Sequence, residues 1–162
     1  MKYFLVTPVG FGAISRNQIF HAIFPESIIK LKLHINALEL FSIVVAVHIW
    51  GGTFQGKKIL IFCDNEASVK VINSGSSKDA FMQDCLRELC YMAAVFQFDI
   101  KAKHILGEEN RLVDFLSRWQ THKKYAVMFN ESIAKNIYEE IKVEKCHFRF
   151  LNNWSFCFCR VG

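Results

Sequence analysis

At 162 residues the chain has room for one domain, a substantial core and a short appendage. An apolar content of 52% with only two prolines excludes wholesale disorder. Twenty basic residues against fifteen acidic ones leave a charge of +5, which tilts partner chemistry toward polyanions without naming one.

Residues 3–7 read as a strand, Pro8-Val9-Gly10-Phe11-Gly12 as its turn, and 13–15 with 18–24 as an antiparallel continuation, giving a β-hairpin. Met1-Lys2 followed by Tyr3-Phe4-Leu5-Val6 faintly resembles a signal peptide. Pro8, Gly10 and Gly12 interrupt it, and a strand entering a glycine turn explains the stretch better, so an intracellular chain is expected. Pro25-Glu26-Ser27 breaks the pattern, and 28–34 reads as another strand or an extended lead-in.

Asn36 then looks like the N-cap of a helix reaching Trp50, with Gly51-Gly52 as its stop. This helix is apolar almost all round and should be buried. Glu39, Ser42 and His48 interrupt its apolar run short of a membrane span, so no membrane partner is expected. Glu39 is its only charged residue. Either it faces water in the first turn, or it is buried and needs a cation, a hydrogen-bond network or a proton.

Lys57 to Cys63 reads as a buried strand, apolar on both faces, that delivers Asp64 at its carboxyl end. Ligands of open α/β sheets bind beyond that end of the strands. Asn65-Glu66-Ala67-Ser68 opens a short helix to Asn73, and Ser74-Gly75-Ser76-Ser77 closes it. A longer helix follows from Lys78 or Asp79 to Phe96, with a core stripe of Phe81, Cys85, Leu89 and Met92. Residues 98–105 give a further strand ending near His104. Leu106-Gly107-Glu108-Glu109-Asn110 turns, and Leu112 to Trp119 is helical with Asp114 in its first turn. Taken singly, Asp114 suits a helix start and His104 a structural strand end.

Cys63, Cys85 and Cys90 lie in apolar patterns and read as reduced, buried thiols. Cys146-His147 with Cys157 and Cys159 offers four zinc ligands but no CxxC pair, which makes a weak zinc signature. Glu131 to Val143 has helical spacing, and 146–162 is aromatic and cysteine-rich without a period. The expected division is therefore 1–119 as the domain and 120–162 as an appendage or interface segment.

Three phrases share one resemblance: Ile35-Asn36-Ala37-Leu38-Glu39-Leu40, Cys63-Asp64-Asn65-Glu66-Ala67, and the run from His104-Ile105-Leu106-Gly107 through Asn110-Arg111-Leu112-Val113-Asp114 to Trp119. In this order and spacing they resemble the ribonuclease H region of retrotransposon polyproteins, most closely the DIRS-like elements. The resemblance covers about residues 5–119. It implies an α/β, ribonuclease H-like fold with a mixed central sheet flanked by helices. It also implies hydrolysis of the RNA strand of RNA–DNA hybrids, with Glu39, Asp64 and Asp114 as metal-binding carboxylates for two Mg²⁺ (or Mn²⁺) ions. Hard oxygen ligands, with no cysteine among them, suit those ions. His104 matches the family's loop histidine, a proton shuttle, and Asn36 and Asn65 match positions that touch the hybrid. The implied partners are an RNA–DNA hybrid or other nucleic acid, and a reverse transcriptase domain.

One departure is serious. The family carries an aspartate on its first strand, and counting back five residues from Gly10 lands on Leu5; no acid occurs before Glu26. The resemblance thus implies an impaired nuclease, or alternatively a catalytically inactive nucleic-acid-binding or structural remnant.

Overall fold

The computed structural model describes residues 2–133, 136–143, 147–149 and 155–157; residues 2–5 and the last two stretches are described by their backbone alone. The side chains considered above as zinc ligands, from Cys146 to Cys159, lie outside the described residues.

The chain opens with three strands, β1 (Lys2–Val6), β2 (Gly10–Ser15) and β3 (Gln18–Ile23), paired as an antiparallel meander. The expected hairpin gains a strand because Arg16 adopts a left-handed φ of 59° and reverses the chain within two residues. The extended lead-in expected over 28–34 is instead the short helix α1 (Glu26–Ile29) followed by turns. Pro25 sets its φ for helix entry, and its carbonyl accepts the N–H groups of Ile28 and Ile29.

Helix α2 (Ile35–Trp50) is capped by His34, whose Nδ1 accepts the Asn36 N–H at 3.3 Å. Asn36, expected to be the cap, sits inside the first turn. A 3₁₀ turn, Gly51–Phe54, prolongs α2 to a 20-residue stretch that is long and apolar enough to cross a membrane by composition. Most of that stretch is packed inside the protein, as a core helix should be.

Strand β4 (Lys58–Cys63) pairs parallel to β1. Helix α3 (Glu66–Ser74) starts at an Asn65 cap and stops at Gly75, which takes φ +70°. Helix α4 (Ala80–Val95) precedes β5 (Asp99–His104), parallel to β4, and a 3₁₀ turn (Gly107–Asn110) leads into α5 (Arg111–Arg118). Helix α6 (Lys123–Ser132) follows, then β6 (Glu139–Glu140), parallel to β3. The helix expected at 131–143 is therefore displaced upstream. The unpaired edge of β3 captures the later residues, with the Glu139 N–H on the Asn17 carbonyl and the Ile141 N–H on that of Ile19. Beyond it, β7 (His147–Arg149) and β8 (Ser155–Cys157) pair antiparallel.

The mixed sheet runs β5-β4-β1-β2-β3-β6. Helices α2, α3 and α4 share one core with Ile59, Ile61 and Cys63 of β4. Helices α5 and α6 share a second core with Ile14 and Ile19, centred on Phe115, Leu116 and Phe129. Because α5 seats on β1–β3, Leu60 of β4 is left 41% exposed, so β4 is not apolar-buried on both faces. At the opposite edge from β6, the Asn73 side chain clasps the backbone of Ala102 in β5: its amide donates to the carbonyl at 2.8 Å and accepts the N–H at 3.0 Å.

Gly12 lets α5 lie directly on β2. A Cβ there would stand 2.5 Å from the Leu116 Cβ and 3.1 Å from the Ser117 nitrogen. Gly12→Ala is therefore expected to destabilise the protein by about 1–3 kcal/mol and to lower its melting temperature by several degrees. Unchanged thermal unfolding would show that α5 is not held this close.

Candidate active site

Parallel pairing brings the carboxyl ends of β1 and β4 together. Phe4 lies opposite Cys63 in the last pair of that ladder, so Leu5, still paired with Gly12 of β2, and Asp64, just past β4, are the next residues of the two chains. Helix α2 packs against β1 and carries Glu39 to the same place. Glu39 is only 3% exposed, which answers the question left open by the sequence: it does not face water. Its Oε1 accepts the Val6 N–H at 3.1 Å, and the Cys63 thiol donates to its Oε2 at 3.8 Å. Burial, and then the negative charge of Asp64, push the Glu39 carboxyl up to about 8, against the downward pull of those two hydrogen bonds.

Asp64 is half-buried, and its Oδ1 is buried with no hydrogen-bond partner among the described residues. Burial raises its carboxyl above the ordinary range; its own backbone and His104 oppose this, and the Asp114 charge adds to it. The loop after β5 closes over the site, and a Cβ on Gly107 would lie 4.0 Å from Asp64 Oδ2. One ligand atom each from Glu39, Cys63 and Asp64 falls within 4.8 Å of the other two. A cysteine thus does stand among the carboxylates, contrary to the all-oxygen set expected from the sequence. It gets there because alternate residues 59, 61 and 63 of β4 turn toward α2.

Asp114 lies on α5, close enough for its charge to be felt at Asp64, but outside that 4.8 Å set. Its Oδ1 accepts the Arg118 Nε–H at 2.7 Å, an i,i+4 ion pair with both side chains partly exposed. His104 ends β5, and its Nε2 stands 3.1 Å from the Asp64 backbone carbonyl, tying the two strand ends together. Asn65 uses its Oδ1 to cap α3 through the Ser68 N–H and its Nδ2 to donate to Asn36 Oδ1 at 2.8 Å. Ser68 Oγ adds a bond to the Asn36 carbonyl at 3.1 Å, so the asparagine pair stitches α2 to α3 beside the acids.

Three participants escaped sequence reasoning: Cys63, the Val6 N–H and Arg118. The Asp-x-x-x-Arg spacing on α5 was the one signal that could have flagged an ion pair. The donor set suits a divalent cation at Glu39 and Asp64, where two carboxylates meet and one buried oxygen has no partner among the described residues. Asp114 stands outside this pair, with Arg118 on its Oδ1.

No protein-family profile matches the sequence, and no curated protein matches it. Solved structures do. The RNase H1 of the halophilic archaeon Halobacterium salinarum NRC-1 superposes with a TM-score of 0.50 at 13% identity, over 71% of this chain and 91% of that one. The N-terminal RNase H domain of Rv2228c from Mycobacterium tuberculosis, solved as a fusion with maltose binding protein, gives 0.51 at 13% identity, over 78% and 94%. At this identity the likeness shows architecture: the chain has a ribonuclease H-like fold, with a mixed sheet flanked by helices.

Proposed function

We propose that the chain is a ribonuclease H-like domain of a DIRS-like retroelement that hydrolyses the RNA strand of RNA–DNA hybrids by two-metal chemistry. In this reading it is impaired because Leu5 stands where the first-strand aspartate belongs. The observation that carries the proposal is the meeting of Glu39 and Asp64 at the carboxyl ends of parallel β1 and β4, with the charge of Asp114 reaching Asp64. Residues 1–119 form the hydrolytic unit, and 120–162 are an appendage whose described part covers α5 and borders β3. A reverse transcriptase domain is the partner that such an appendage would meet.

Glu39, Asp64 and Asp114 would hold the cations, Mg²⁺ or Mn²⁺. When bound, the cation lowers the pKa of an attacking water and stabilises the departing oxygen. Glu39 gives up its proton on ligation, so metal affinity rises with pH. The Asn36–Asn65 pair, beside the acids, meets the hybrid through sugar and base-edge contacts, while affinity rests mainly on phosphates and helix shape. His104 holds the end of β4 and passes protons at product release.

A specific observation favours a second reading, an inactive hybrid-binding module: the Arg118 guanidinium occupies Asp114 Oδ1. A labelled RNA–DNA hybrid incubated with Mg²⁺ or Mn²⁺ separates the two. Slow cleavage that Asp64→Asn lowers by more than ~100-fold, with hybrid binding retained, supports the nuclease; a carboxylate ligand should cost more than the ~10–100-fold typical of its outer-shell neighbours. Binding without turnover in either metal supports the module. No binding even at low salt removes both.

A further inference from the structure

We propose that Cys63 is itself a ligand, so that Glu39, Cys63 and Asp64 together hold one thiophilic divalent cation, of the zinc or cadmium class, more tightly than they hold Mg²⁺. The inference rests on the reading of Glu39 and Asp64 as cation ligands, and not on hydrolysis.

A tetrahedral cation with bonds of about 2.3 Å to sulfur and about 2.1 Å to oxygen sets those two atoms roughly 3.6 Å apart. Cys63 Sγ lies 3.8 Å from Glu39 Oε2, close to that edge length. The widest separation in the three-residue set is at most 4.8 Å. Closing it takes no more than about 1 Å, the reach of a side-chain rotation of the half-buried Asp64. Asp64 also supplies the buried Oδ1 that has no hydrogen-bond partner among the described residues. The Asn65 N–H points at Cys63 Sγ from 3.4 Å, an outer contact of the kind that steadies a thiolate ligand.

The chemistry of the donors then sets the preference. Mg²⁺ requires six oxygens at near-octahedral angles and ligates sulfur poorly, so the thiol takes a place that it cannot use. A thiophilic cation uses all three residues and leaves a fourth corner for water. On ligation the Cys63 S–H bond breaks, the sulfur keeps the electron pair for the metal, and the proton leaves to solvent. Asp64, half-buried, provides the route of entry.

The test titrates the full-length protein with Cd²⁺, after Cys90, Cys146, Cys157 and Cys159 have been changed to serine so that they do not contribute. A sulfur-to-cadmium charge-transfer band should saturate at one ion per chain. Cys63→Ser, and separately Cys63→Ala, should remove the band and weaken Cd²⁺ more than ~100-fold, beyond the loss typical of outer-shell changes. Mg²⁺ affinity by calorimetry should stay the same in both. Cys85→Ala should leave the band intact. Circular dichroism checks that each variant is folded, and the two replacements at position 63 guard against one failing to fold. A band that survives both Cys63 variants, or a Cd²⁺ affinity that Asp64→Asn leaves unchanged, overturns the proposal. Cd²⁺ bound through Cys63 in a chain that never cuts a hybrid leaves this inference standing and removes the nuclease. Cleavage in Mg²⁺ with no Cys63-dependent band does the reverse.

Discussion

Glu39→Gln is expected to be more stable than the parent protein in alkaline buffer and to lose the part of the parent's pH dependence that Glu39 contributes. The Glu39 carboxyl is raised from 4.5 to about 8, chiefly by burial. The folded state therefore holds a proton that the unfolded chain releases, and the sign follows: its contribution is fully present below 4.5, declines as pH rises, and is gone above about 8. Across that window each pH unit removes up to about 1.4 kcal/mol, a few kcal/mol in all. Glutamine cannot ionise, and its carbonyl can keep the Val6 N–H bond. Chemical unfolding at pH 5, 7 and 9 in metal-free buffer checks this. Parallel curves for the two proteins would mean that Glu39 is already ionised in the fold. Mn²⁺ should flatten the parent's slope, because the cation binds the ionised form, and should leave the variant unaffected.

The second large effect is a gain. Leu5→Asp should raise hybrid cleavage in Mg²⁺ by at least ~10-fold and tighten Mg²⁺ measurably, since a ligand in direct contact matters more than the outer-shell groups worth ~10–100-fold. The backbone supports that position. Leu5 follows Phe4, which pairs with Cys63, and precedes Val6, whose N–H reaches Glu39. An added carboxylate would also raise the local negative charge, so without metal the variant should melt earlier than the parent. Single-turnover cleavage and calorimetry test the gain. A folded Leu5→Asp protein with unchanged rate and metal affinity would show that the first strand is aligned wrongly.

The strand bearing Asp64, the buried helix bearing Glu39 and the order of the elements after them were legible because each rests on a local pattern: a short apolar run, an unbroken apolar helix, a cap, a glycine stop. The rest depended on contacts across the chain. Cys63 looked like core filling because the strand period does turn it inward; nothing in one dimension says that Glu39 enters the same layer. Asn36 has the chemistry of a cap, yet His34 does that work, and Asn36 is drawn instead to Asn65. Glu139–Glu140 has no strand propensity to speak of and is extended because β3 offered a bare edge. Even the glycines of β2 carry a message that only α5 explains, since Gly12 is small for the sake of Leu116.

The grip of Asn73 on Ala102 has a consequence for assembly. One carboxamide reproduces the donor and acceptor that an incoming strand would present, so at mid-length the outer rim of β5 offers nothing for another polypeptide to zip onto. Growth of the sheet by backbone pairing is thereby steered away from the side nearest the acids, and a partner that approaches there must be recognised by its side chains or its phosphates.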